Sequence, residues 1–114
     1  MQQLTLIERY FGHLLPASYR SFLASNSSSP NDDILLYNAS NIIERNHCYE
    51  TKTYAPGFIN IGDDGGGMAF ILPLNHADPA VYCVGHGVMD PQYAELVAKH
   101  FSQWLADGCP VVDE

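Results

Sequence analysis

Apolar and polar positions along the chain change period several times, and each change marks a different kind of element. Ile7, Tyr10, Phe11 and Leu14 recur at helical spacing behind Thr5, which stands three residues before Glu8 in a capping-box pairing, so a helix is predicted over about residues 5–14. Pro16 suits the first turn of a second helix, where its missing N–H costs nothing, and Tyr19, Phe22 and Leu23 form that helix's apolar stripe. The two helices should pack together. Asn26 to Asp33 is rich in Ser, Asn, Asp and Pro and reads as a surface loop.

Ile34 to Tyr37 is a short apolar run between turn residues, which predicts a strand, and Ser40 or Asn41 can cap a short helix through Ile42, Ile43 and Asn46. His47 to Pro56 shows no period and reads as a loop. Phe58, Ile59 and Ile61 lead into Gly62-Asp63-Asp64-Gly65-Gly66-Gly67, and Met68, Phe70 and Leu72 follow in alternation, the pattern of a β-hairpin. A further strand is predicted over Ala80 to Val84. The last element reads as a long helix, capped by Asp90 with Pro91 first, then Tyr93, Leu96, Val97, His100, Phe101, Trp104 and Leu105 on one face, stopped by Gly108 and Pro110. Hairpin-type connections between the late strands favour antiparallel pairing. The fold class is therefore α+β: one domain over residues 1–114, an antiparallel sheet of about four or more strands, helices on one face, an N-terminal helix pair and a long C-terminal helix.

Composition narrows the function. A chain of 114 residues, 46% apolar and 16% charged, is one domain that can bury about two thirds of its unfolded surface. No apolar run approaches the ~20 residues of a membrane helix, and three cysteines without framework spacing, behind no apolar leader, suit a soluble protein of the reducing cytoplasm. Thirteen acids against five bases give a net charge of −8, which disfavours nucleic acid as a partner. No Lys or Arg lies between Lys52 and Lys99, whereas Asp63, Asp64, Asp78, Asp90 and Glu95 all do. Solubility alone accounts for such a charge, and a steering surface for a basic protein is the functional reading. On that reading Asp63, Asp64, Asp78 and Asp90 are the candidate partner-binding residues.

Chemistry is harder to find. Gly62 to Gly67 lacks the Lys-Ser/Thr of a phosphate loop and places two carboxylates where a phosphate would sit, and it lacks the alternating ligands of a calcium loop. Cys83 and His86 with His47 and Cys48 have the residue types of a zinc site, but adjacent His47 and Cys48 cannot easily both point inward from an extended segment, and free cysteine packs well as a small hydrophobe. No Gly-x-Ser-x-Gly or comparable nucleophile signature occurs, and His13 and His100 have apolar neighbours that suit packing. No catalytic residue, cofactor or metal is expected.

Leu15-Pro16-x-x-Tyr19-x-x-Phe22-Leu23, Pro56-Gly57-Phe58-Ile59-x-Ile61-Gly62, Gly65-Gly66-Gly67 and Val81-Tyr82 occur in that order, and the chain closes on Phe101-Ser102-Gln103-Trp104-Leu105. This series, from about Leu4 to Leu105, resembles the Smi/Knr-like family of the SUKH superfamily. The resemblance implies a non-enzymatic protein-binding domain: members are commonly immunity proteins that bind and neutralise polymorphic or contact-dependent toxins, often nucleases, while fungal relatives regulate cell-wall assembly. Asn26-Ser27-Ser28-Ser29 stands where members often have Asn-Gly-Gly, so that loop should differ in shape. The expected role is an immunity protein that occludes a basic toxin. The alternatives are an intracellular regulatory or scaffold module without a toxin partner and, less favoured, a zinc-dependent hydrolase.

Overall fold

Leu4, Ile7 and Phe11 are buried on one side of the first helix, and that stripe decides how the chain begins to fold. In the computed structural model, which describes residues 2–25 and 28–111, α1 spans Gln2–Phe11. It starts before Thr5, so the Thr5–Glu8 pairing is not a capping box. Glu8 instead reaches forward: its carboxylate accepts the Leu15 N–H at 2.9 Å and pairs with Arg20 at 3.2 Å, tying the turn between the helices. The second helix, α2 (Ala17–Ser25), buries Tyr19, Phe22 and Leu23, with the Pro16 carbonyl accepting the Arg20 N–H at its start. Of the Asn26–Ser29 stretch, Asn26 and Ser27 lie outside the described residues.

The middle of the chain contains β1 (Leu35–Leu36), α3 (Ile42–Cys48) and α4 (Thr51–Tyr54). The last of these falls where a loop was predicted; four residues are too few to show a period. Then come β2 (Phe58–Asp63), β3 (Met68–Pro73), β4 (Val81–Gly85), a 3₁₀ turn over Pro91–Tyr93, β5 (Glu95–Ala98) and α5 (Phe101–Ala106). The strands form one antiparallel sheet in the order β1-β2-β3-β4-β5. Gly62 is needed where β2 meets β1, since a Cβ there would collide with the Leu35 carbonyl oxygen.

The C-terminal helix exists and stops near Gly108, but it is shorter than predicted. Asp90 does accept the Gln92 N–H at 3.0 Å with Pro91 first in the turn, yet the turn ends at Tyr93 and the chain extends into β5 before α5 begins. Leu96, Val97 and Ala98 earn more by hydrogen bonding along β4, where Tyr82 is opposite Leu96 and Cys83 opposite Glu95, than by continuing a helix.

The two faces of β3 explain its unbroken apolar sequence. Phe70 and Leu72 point into the main core with Leu4, Ile7, Tyr19, Phe22, Phe101 and Trp104, whereas Ala69 and Ile71 face a smaller core with Ala55, Val84 and Met89. Helices α1, α2 and α5 cover the first face; the second is closed by the end of α4 and the segment leading to the 3₁₀ turn. Beside the short β1 the edge of β2 is satisfied by a side chain. Buried Asn46 accepts the Asn60 N–H at 2.8 Å and donates to the Asn60 carbonyl at 2.9 Å, standing in for a neighbouring strand.

Candidate functional site

The β2–β3 turn is four residues long, Asp64 to Gly67, and both aspartates at its mouth shape it. One Asp63 carboxylate oxygen accepts the Gly65 N–H at 3.0 Å, and the other accepts the Tyr37 hydroxyl at 2.7 Å. For Asp64, one oxygen accepts both the Gly66 N–H at 2.8 Å and the Met68 N–H at 3.1 Å. Asp63 is half-buried and Asp64 exposed. Burial, then the hydrogen bond to Asp63 and its charge, push the Tyr37 hydroxyl well above its ordinary pKa, so this phenol stays a donor.

Of the four sequence candidates, Asp78, in the β3–β4 connection, lies at the opposite end of the sheet from the Asp63–Asp64 turn. Asp63 and Asp64 lie at one end of the sheet, and Asp90 opens the 3₁₀ turn. Asp78 serves another purpose: it accepts the Ser102 N–H at 2.9 Å and the Ser102 hydroxyl at 2.6 Å, at the first turn of α5. Its carboxyl is held below the usual carboxylate range; burial opposes this, and the Ser102 hydrogen bonds and nearby His100 outweigh burial.

Around the turn the structure places residues that the sequence did not single out as a site. Glu95 lies opposite Cys83 on β5, and Met68 opposite Gly85. Burial, followed by the charges of Asp64 and Glu95, pushes the Cys83 thiol up to about 11, so both carboxylates act on the same spot and the thiol stays protonated. Met68, Val88, Tyr93 and Leu96 expose large apolar side chains, Tyr93 and Leu96 at 66% and 55%. Glu95 is one of the acids of the base-free stretch, and because it lies on a strand and not on the predicted helix its neighbour is Cys83.

His86 belongs to the same end of the sheet. Its ring stacks on Tyr49 with centroids 3.8 Å apart and planes 8° from parallel, and a ring nitrogen lies 3.3 Å from the Asn60 side-chain nitrogen. The Asn60 side-chain oxygen accepts the Gly62 N–H, so its nitrogen is the donor toward His86 and the ring nitrogen is the acceptor. Burial lowers the His86 pKa, opposed by Asp63 and Asp64, which agrees with a neutral ring. Among the described residues no three of His, Cys, Asp or Glu are placed to hold a metal ion, so His47, Cys48, Cys83 and His86 do not assemble as a zinc quartet. A hollow of about 580 Å³ between α2 and α5 is lined by serines and apolar residues, without an acid, base or thiol.

The groups gathered at this end of the sheet are carboxylates, exposed apolar side chains and a neutral stacked imidazole. No helix of the described residues is long and apolar enough to cross a membrane. The sequence model of the SMI1 / KNR4 family (SUKH-1) matches residues 2–107, and comparison with curated proteins gives no match. The chain belongs to the SMI1 / KNR4 family.

Proposed function

We propose, from its membership of the SMI1 / KNR4 family (SUKH-1), that this protein is a non-enzymatic immunity protein that acts in the cytoplasm by binding a toxin and occluding it. The family match over residues 2–107 carries this reading, because it covers the whole folded sheet and its helices. The acidic end of the sheet supports it: Asp63, Asp64 and Glu95 lie in a stretch without Lys or Arg and suit a basic toxin surface. Nucleic acid, whose phosphates those carboxylates would repel, is not the partner in this reading.

The test is coexpression with the toxin encoded by a neighbouring reading frame. Cells carrying both should grow, cells carrying the toxin alone should not, and the purified pair should form a complex in which the toxin is inactive. Survival without a complex would overturn binding as the mechanism, and a complex with a fully active toxin would overturn occlusion. If no neighbouring toxin exists and none is neutralised, the regulatory module without a toxin partner takes its place.

A further inference from the structure

Every strand edge offers backbone donors and acceptors that need a partner or water, and the two edges of this sheet are treated differently. At one edge the terminal strand β1 is only two residues long, Leu35–Leu36, too short to offer a ladder, and the Asn46 side chain bonds to the stretch of β2 that β1 leaves uncovered. At the other, β5 pairs with β4 alone, and among the described residues no group outside β4 hydrogen-bonds to the backbone of Glu95–Ala98. Leu96 is 55% exposed on this open strand.

We propose that β5 is a docking edge on which an extended, lysine- or arginine-bearing segment of the protein partner adds as a further strand; this rests on the protein-binding reading above. The side chains define the segment. Glu95 shares its sheet face with Cys83, where the Asp64 charge also acts, and Leu96 shares the opposite face with Tyr82. A strand laid beside β5 therefore meets a carboxylate on one face and an apolar side chain on the other, which fits bases alternating with aliphatic residues. Lys99 follows the strand and marks where the complementary charge ends. A second copy of this chain fits less well, because two molecules of net charge −8 repel one another.

The probe is a capped peptide of alternating Lys and Val, about six residues long, the usual strand length. A second peptide carries Glu in place of each Lys. Amide hydrogen exchange is followed residue by residue in the full chain, with saturating peptide and without. Exchange of amides within Glu95–Ala98 should slow about tenfold with the Lys peptide and stay unchanged with the Glu peptide. Leu96→Lys, at an exposed position, should keep the melting temperature and weaken binding of the Lys peptide about tenfold, through like charge on the edge. Three results overturn the proposal: no binding at millimolar peptide, binding that protects only the Asp63–Asp64 turn, or a free protein that is already a dimer with protected β5 amides. The peptide assay needs no toxin, so its outcome and that of the neutralisation assay separate the two readings. Peptide docking without toxin neutralisation leaves the edge standing and removes immunity, whereas a Leu96→Lys protein that protects cells as well as wild type removes the edge and leaves immunity.

Discussion

Replacing Asp78 by alanine should destabilise the fold, because this residue caps a helix from 24 positions away in the sequence. The first residues of α5 receive their acceptors from the segment before β4: the Phe101 N–H donates to the Pro79 carbonyl at 2.7 Å and the Ser102 N–H to the Asp78 carboxylate at 2.9 Å. The helix's own cap residue, His100, makes no side-chain cap hydrogen bond to the helix; its ring nitrogen lies 3.3 Å from the Asp78 carbonyl oxygen instead. Removing an aspartate cap costs about 0.5–2 kcal/mol, and the partial exposure of Asp78 puts this case near the typical ~1 kcal/mol. For a domain of about 100 residues that is a fall in melting temperature of roughly 4–8 °C. Because the folded carboxyl is held below its ordinary range, the stabilisation is present above the unfolded pKa of about 3.9 and is lost as pH falls through the folded value. The assay is urea unfolding of wild type, Asp78→Ala and Asp78→Asn from pH 7 down to pH 3. Asparagine retains an acceptor for the Ser102 N–H and should fall between the other two, and the gap between wild type and alanine should shrink at the acid end. If Asp78→Ala is as stable as wild type at pH 7 while partner binding is lost, Asp78 is a contact residue and not a cap.

Trp104→Ala should cost about 3–5 kcal/mol in the same assay, since the indole is 1% exposed, packs on Phe70 and Phe101 and donates to the Pro110 carbonyl. Tyr19→Phe should leave stability unchanged or raise it slightly, because the Tyr19 hydroxyl is fully buried and has no hydrogen-bond partner among the described residues; a loss above ~1 kcal/mol would show that the hydroxyl is bonded. The double change Asp63→Asn, Asp64→Asn keeps acceptors for the Gly65, Gly66 and Met68 N–H groups, so the protein should fold. Its association with a basic toxin, followed by stopped flow, should slow at low salt and approach the wild-type rate at high salt.

Strands β1 to β4 and the first two helices were legible because their apolar side chains repeat with a period that local geometry imposes or form short runs between turn residues. Phe70 and Leu72 alternate with Ala69 and Ile71 on a strand buried on both faces, and Tyr19, Phe22 and Leu23 mark one side of α2. The region from Asp90 to Leu105 misled for a physical reason. Its apolar residues suit a helical face, and both Asp90 and Pro91 are true helix-start signals, but hydrogen bonding to the open edge of β4 is a long-range gain that no local spacing reports. The same holds for Asn46: its buried amide donates to the Ile42 carbonyl within its own helix, but its bonds to both backbone groups of Asn60, fourteen residues away, are what make it part of the sheet.

For the candidate surface, the charge count identified the right stretch but not which of its acids are free to act. That depends on how many carboxylate oxygens the fold already uses. Both Asp78 oxygens are bonded to Ser102, and both Asp63 oxygens are occupied, by Gly65 and Tyr37. A partner's lysine could take either residue only in competition with bonds that hold α5 or the β2–β3 turn. Asp64 bonds through one oxygen alone, and Glu95 makes no hydrogen bond or ion pair among the described residues. These two carboxylates act on the same Cys83 and can accept a base at no cost to the fold, whereas Asp63 contributes its charge at a distance. The strongest direct contact is therefore expected at Glu95, on the open edge of β5, with Asp64 acting from the β2–β3 turn, and the field of the remaining acids guides the partner there.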